Sequence, residues 1–240
     1  MAEPLVLLPA MMCDARLYLH QIAGLSVDRA VHVAPITQGE SVAEIAKSIL
    51  MDAPPRFALA GMDMGGIVAM EIQRIAPERV TRLALMGTNA QSEPPVIAAA
   101  REELIVKARA GRLEEVMRNE AKALISHTCP HRAELADLVT EMAMDMGPDI
   151  FARQSHVLQR RPDQQKTLRM LRRPAMVACG VHDDVTPVKR HEFLAELIPN
   201  ARLEIIADAG HLPTLEQPEE TNRHLRAWLA VPAAAPLVLR

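Results

Sequence analysis

Aromatic side chains are almost missing from this 240-residue chain, which has one Trp, one Tyr and three Phe. Tyr18, Trp228, Phe57, Phe151 and Phe193 are the whole set, while methionine occurs 14 times. Methionine fills irregular apolar space and adapts to varied ligands; most of these residues read as ordinary core. Cysteine is also sparse. Cys13, Cys129 and Cys179 share no paired spacing, which argues against a disulfide framework and for a reducing compartment. No apolar run reaches the roughly 18 residues that would span a bilayer. Basic residues are scattered and the net charge is −3, so no nucleic-acid footprint is present. The opening MAEPLVLLPAMM lacks a basic n-region and does not read as a signal peptide. These absences predict a cytoplasmic protein without membrane or nucleic-acid partners.

What is present is an alternation. Pro4–Leu8, Val31–Ala34, Phe57–Ala60, Arg82–Met86, Ala175–Cys179 and Leu203–Ile206 are short apolar runs bounded by turn residues. Runs of this kind read as strands buried on both faces of a parallel sheet. Helix-length amphipathic segments lie between them. Ser41-Val42-Ala43-Glu44 forms a capping box, and Pro54-Pro55 closes the helix it opens. Pro218, followed by Glu219 and Glu220, suits the start of a last helix with Leu225, Trp228 and Leu229 as its apolar stripe. The pattern predicts an α/β fold with about six parallel strands and helices on both faces. The first strand starts by Pro4, so no antiparallel hairpin is expected before it. The tail Val231-Pro-Ala-Ala-Ala-Pro reads as loosely packed.

The alternation stops between about residues 91 and 162. Four helical patterns fill this stretch: Val96–Ala110, Arg112–Ser126, Arg132–Met144 and Asp149–Gln159. An all-helical insertion between two strands reads as a cap over the carboxyl edge of the sheet, where ligands bind in such folds. The expected organisation is a core of residues 1–90 and 163–240 with a cap at 91–162. A plain packing subdomain is the alternative.

Gly61-Met62-Asp63-Met64-Gly65 follows a strand and precedes a helix at Ile67–Ile75, the setting of a nucleophile elbow. Alone, the pentapeptide is equally an ordinary glycine turn. Two later strand ends change that balance. Gly180-Val181-His182-Asp183-Asp184-Val185-Thr186-Pro187 offers an acid, and Ala209-Gly210-His211-Leu212-Pro213 offers a histidine. Elbow, acid, histidine is the chain order of one known triad arrangement. Leu7-Leu8-Pro9-Ala10-Met11-Met12 ends the first strand, where an oxyanion donor belongs.

With LVLLPAMMCDARLY, RFALAGMDMGGIVAMEIQRIAPERVTRLALMGT and AGHLPTLEQPEE in that order, essentially the whole chain resembles the α/β-hydrolase family. The resemblance implies Asp63 at the nucleophile position, His211 as general base and Asp183 as the acid, with neighbouring Asp184 as fallback. It implies the amides of Met11 and Met64 as oxyanion donors. Ala10 stands where the family usually has glycine and is expected to narrow the approach to them. No motif calls for a cofactor or a metal.

Asp63 is the larger departure, because this position commonly holds serine. A carboxylate attacking a carbonyl yields an anhydride, and collapse expels the carboxylate, whose acid has a pKa near ~4, in preference to an alkoxide. Asp63 is therefore unsuited to ordinary ester hydrolysis. A carboxylate does succeed at saturated carbon, as in the haloalkane dehalogenases and epoxide hydrolases of this fold. The dehalogenases usually place Trp after the Asp, where this chain has Met64. The epoxide hydrolases use two cap tyrosines, and Tyr18 lies outside the cap. Three readings follow in order. The first is an ester- or lactone-cleaving scaffold in which Asp63 stands in place of serine. The second is an Asp-nucleophile hydrolase, with His127, His131 or an Arg serving the leaving group, and the third is a non-catalytic binding protein. The expected partner is a small apolar ester, lactone or alkyl compound. His127-Thr128-Cys129-Pro130-His131 reads as a polar loop rather than a metal site. His182 and His191 read as exposed loop histidines, and Arg160-Arg161 and Arg172-Arg173 as solvated helix ends.

Overall fold

The computed structural model describes residues 2–232, so most of the tail from Val231 lies outside the described residues. Strand β1 (Leu5–Leu8) leads through a short helical turn to α1 (Leu19–Leu25), β2 (Val31–Val33), α2 (Val42–Asp52), β3 (Phe57–Met62) and α3 (Met64–Ile75). After β4 (Val80–Met86) come four helices: α4 (Pro95–Lys107), α5 (Leu113–Leu124), α6 (Arg132–Met146) and α7 (Pro148–Gln159). The chain continues through α8 (Gln165–Arg169), β5 (Ala175–Gly180), α9 (Val188–Leu197), β6 (Arg202–Ile206), α10 (Pro213–Glu216) and α11 (Pro218–Ala230).

The six strands form one sheet in the order β2-β1-β3-β4-β5-β6, and every pairing is parallel. Successive side chains on a strand point to opposite faces. Leu5, Leu7, Ala58, Ala60 and Ala84 accordingly join Tyr18, Leu225 and Trp228 on one side. Val6, Leu8, Leu59, Leu83 and Leu85 meet Ile45, Val68 and Leu194 on the other. Both faces of the central strands are buried, which is why their sequences read as continuous apolar runs. The two edge strands differ from that expectation. β2 is only half-buried, and Arg202 and Ile205 of β6 are exposed, because each has a neighbour on one side only.

Ser41 caps α2 as its sequence requires, its Oγ accepting from the Glu44 amide at 3.2 Å. The Glu44 carboxylate reaches back to the Glu40 amide at 2.8 Å. In the helical insertion, α4 and α5 are separated by a kink where Gly111 takes φ 81°. Gly147, at φ 82°, separates α6 from α7. No helix among the described residues is long and apolar enough to cross a membrane.

Strand order fixes where a ligand can bind. The chain leaves β1 toward β2 and returns to the other side of β1 as β3, so crossovers diverge above the β1–β3 boundary. Gly65 tightens that boundary: a Cβ there would lie 2.2 Å from the Leu8 carbonyl oxygen. Its absence lets the start of α3 abut the end of β1 and sets Asp63 beside Met11.

Candidate active site

Asp63 occupies the turn between β3 and α3 with φ 49° and ψ −116°, a conformation costly for a residue with a Cβ. Four hydrogen bonds hold it. The Asp63 amide donates to Met86 O at 2.9 Å, and its carbonyl accepts from the amides of Gly66 and Ile67 at 3.0 and 3.2 Å. The Thr88 hydroxyl adds a bond to the same carbonyl at 2.8 Å. Behind Thr88 stands His191, whose Nε2 accepts from the Thr88 amide at 3.1 Å. His191 is thus a fully buried α9 residue, not an exposed loop histidine. Burial pulls its pKa down to about 4, so it supports the elbow as a neutral ring.

The Asp63 side chain turns toward the end of β1, where its Oδ2 accepts from the Met11 amide at 3.0 Å. One of the two amides expected to serve an oxyanion, that of Met11, therefore already serves the protein's own carboxylate. Ala10 is buried, and its methyl does not keep the Met11 amide from Asp63.

Asp183 follows β5. Its carboxylate accepts from the amides of Val185 and Thr186 at 3.0 and 2.8 Å and from the Thr186 hydroxyl at 2.8 Å. So fixed, it lies 2.9 and 3.0 Å from His211 Nδ1. Asp184 is exposed, and the carboxylate beside the ring is that of Asp183. His211 is 1% exposed, and its Nε2 approaches Asp63 Oδ1 to 3.8 Å. That is ion-pair range, too long for a hydrogen bond.

These three groups titrate as one system. Burial alone would depress the His211 imidazolium, but the charges of Asp183 and Asp63 outweigh it and lift His211 to about 10. Burial alone would raise both carboxyls, yet His211 holds each below the usual carboxylate range. At neutral pH the line is carboxylate, imidazolium, carboxylate. Because His211 is raised above its ordinary 6.5, its stabilisation is complete below that value and lost as pH climbs toward 10. The carboxylates act in the opposite sense: their contribution is present above pH ~4 and lost on acidification. Urea unfolding should therefore show stability falling from pH 6.5 to 10, less steeply in Asp63→Asn. A His211 ring that titrates near 6.5 by NMR would refute this charge arrangement.

Glu216, at the end of α10, is a site residue that the triad pattern does not flag. Its buried carboxylate accepts from the amides of Gly210, Leu212 and Ser126 at 2.9, 3.1 and 2.7 Å. The His211 amide itself donates to Leu124 O, at the end of α5, at 2.8 Å. The histidine loop is thus pinned both to α10 and to the insertion. Its signal in the sequence is a carboxylate five residues past the histidine, at the end of a short helix. Glu216→Ala would strand three buried amides and is expected to cost at least ~3 kcal/mol in urea unfolding. Glu216→Gln, which keeps an acceptor, should cost less. Equal losses would show that packing, not hydrogen bonding, is what matters there.

A cavity of about 90 Å³ lies over Asp63 and His211. Met11 and Met12 wall it from below, and Arg101, Leu104, Met117 and Phe151 from the insertion. His127 and His131 are not in this wall: His127 packs edge-on against His182, and exposed His131 pairs with Glu134. Arg161 is no solvated helix end either. It is buried and paired with Glu93 at 3.1 Å, and Arg173 is likewise buried.

The sequence profile of the alpha/beta hydrolase family matches residues 13–224. The chain belongs to that family. This α/β-hydrolase is 25% identical over 210 residues to a pimeloyl-[acyl-carrier protein] methyl ester esterase of Aromatoleum aromaticum, covering 79% of this chain and 80% of that one. Its fold superposes on a thermophilic esterase from Thermogutta terrifontis with a TM-score of 0.86 at 24% identity, over 95% of this chain and 90% of that one. The enol-lactonase from Burkholderia xenovorans LB400 gives a TM-score of 0.85 at 20% identity, over 95% and 92%.

Proposed function

We propose that this α/β-hydrolase carries a carboxylic-ester or lactone hydrolase site whose nucleophile position is filled by Asp63. His211 is its general base, Asp183 the acid that orients it, and the amides of Met11 and Met64 its oxyanion donors. Residues 91–162 form the cap over a core of residues 1–90 and 163–240, and the substrate is a small ester or lactone. The observation that carries this reading is the 3.0 Å bond from the Met11 amide to Asp63 Oδ2. A donor suited to the oxygen of a tetrahedral intermediate is occupied by the enzyme's own side chain. An esterase relative and the shared fold of an esterase and a lactonase support the same chemistry.

With serine at position 63 the reaction runs in ordinary steps. Oγ attacks the carbonyl carbon as His211 Nε2 takes its proton, and the oxyanion rests on the Met11 and Met64 amides. Collapse breaks the ester bond, and His211 returns the proton to the leaving alcohol. Water, deprotonated by His211, then hydrolyses the acyl-enzyme. With Asp63 the Met11 donor is blocked and the base is protonated, so the native chain is at rest toward esters.

A second reading is favoured by the free oxygen. Oδ1 faces the histidine at 3.8 Å while Oδ2 is held by the backbone, an arrangement open to displacement at saturated carbon. The carbon–oxygen bond would form as the halide or epoxide oxygen departs. Esterification would remove the charge that keeps His211 protonated, so that it could then activate water. It ranks second because no tyrosine or tryptophan lines the cavity among the described residues: Tyr18 is buried with its hydroxyl on Leu8 O at 2.8 Å. A parallel screen of the native protein and Asp63→Ser on aryl esters, lactones, haloalkanes and epoxides separates the readings. Turnover by neither form would leave a binding protein.

A further inference from the structure

One charged group in the cavity wall takes no part in the chemistry above. Arg101, on α4, shares the cavity with Asp63 and His211. Its Nε donates to Glu93 Oε2 at 2.6 Å and its Nη2 to Oε1 at 3.3 Å. Glu93 is itself buried, its side chain 2% exposed, and carries a second cation, Arg161, at 3.1 Å. Two guanidiniums on one carboxylate leave the trio with an excess positive charge. Arg101 is the member of the trio that reaches the cavity. Its Nη1 meets only the sulfur of Met11 among the described residues, at 3.7 Å, and thioether sulfur is a weak acceptor. A guanidinium anchored on one edge, with its other edge over the oxyanion residue, is preorganised for a second carboxylate.

We infer that Arg101 Nη1 binds an ionised carboxylate of the substrate, remote from the carbonyl that is cleaved. The substrate class is then short esters or lactones carrying a free carboxyl group, such as half-esters of dicarboxylic acids. The small cavity suits a short acyl chain, because drug-sized ligands occupy pockets of about 300 Å³ or more. Glu120, an exposed residue, is the other carboxyl in the wall and the group that competes for Arg101.

The inference rests on the ester-hydrolase reading, and the experiment keeps the two apart. In the Asp63→Ser background, kcat/KM is measured for mono(4-nitrophenyl) glutarate and for 4-nitrophenyl butyrate. The charged ester should be preferred by about 10-fold or more, chiefly through KM, since hydrogen bonds to charged groups are worth ~1.5–3 kcal/mol. Arg101→Leu should lower the glutarate-to-butyrate ratio about 30-fold, Arg101→Lys by less, and Glu120→Gln should raise it. An unchanged ratio in Arg101→Leu overturns the inference. Should Asp63→Ser cleave neither ester, the ester-hydrolase reading fails, and calorimetry with glutarate decides the Arg101 site alone. Binding that Arg101→Leu abolishes upholds it, and no binding, or binding unaffected by the variant, overturns it.

Discussion

Asp63→Ser switches on hydrolysis of activated carboxylic esters, with kcat/KM for 4-nitrophenyl acetate expected to rise at least ~10³-fold over the native protein. Three obstacles fall with one carboxylate. Serine forms an ester that water can cleave, in place of an anhydride that reverts. Removing the Asp63 charge lets the His211 pKa drop, so that a neutral ring is available near pH ~7. The Met11 amide loses its internal acceptor and becomes free, beside that of Met64, for the substrate's oxyanion. A single oxyanion donor is worth about 10²–10³ in rate, so vacating the hole is a large part of the expected gain. The contrary outcome is specific. A native protein that turns over a haloalkane or epoxide through an alkyl-enzyme ester, visible as a mass increment, combined with an inert Asp63→Ser, would invert the ranking.

In the serine background, Asp183→Asn and His211→Gln should each lower kcat by about 10⁴-fold. The geometry supplies the reason. With both Asp183 oxygens about 3 Å from Nδ1, the proton sits on Nδ1 and Nε2 is left as the base. Asparagine can present an amide donor to Nδ1, which drives the proton to Nε2 and disarms the ring. Asp184→Asn, an exposed carboxylate without contact to the ring, should change kcat less than about 2-fold. Loss of activity in Asp184→Asn with Asp183→Asn intact would reverse the assignment. The two aspartates are neighbours in sequence, so this pair of variants reads the acid loop's register directly.

The parallel sheet was legible because its four inner strands are buried on both faces and so read as short, mainly apolar runs between turn residues. Edge exposure was not legible, because a run such as VHV carries no information on whether a neighbour lies on its far side. The chain order of Asp63, Asp183 and His211 was likewise visible, each flagged by glycine or proline at a strand end. What could not be read were the long-range polar partnerships. Arg161 resembles any helix-end arginine until Glu93, 68 residues earlier, is seen beside it. His191 resembles any loop histidine until the amide of Thr88, 103 residues away, is found on its ring. Hydrogen-bond partners across such separations are set by the packing of whole elements, and no local pattern encodes them.

The His211 amide hangs on the carbonyl of Leu124, and the carboxylate that braces its loop is shared with Ser126 just beyond. Those two residues belong to the insertion that lines one wall of the cavity. Any shift of α5 must therefore either break both attachments or move the imidazole between the two carboxylates. The site needs no such shift to meet solvent, since the Asp63 side chain is 25% exposed with the histidine seated. The insertion is thus a mount for the base, and its placement tunes the proton-transfer geometry.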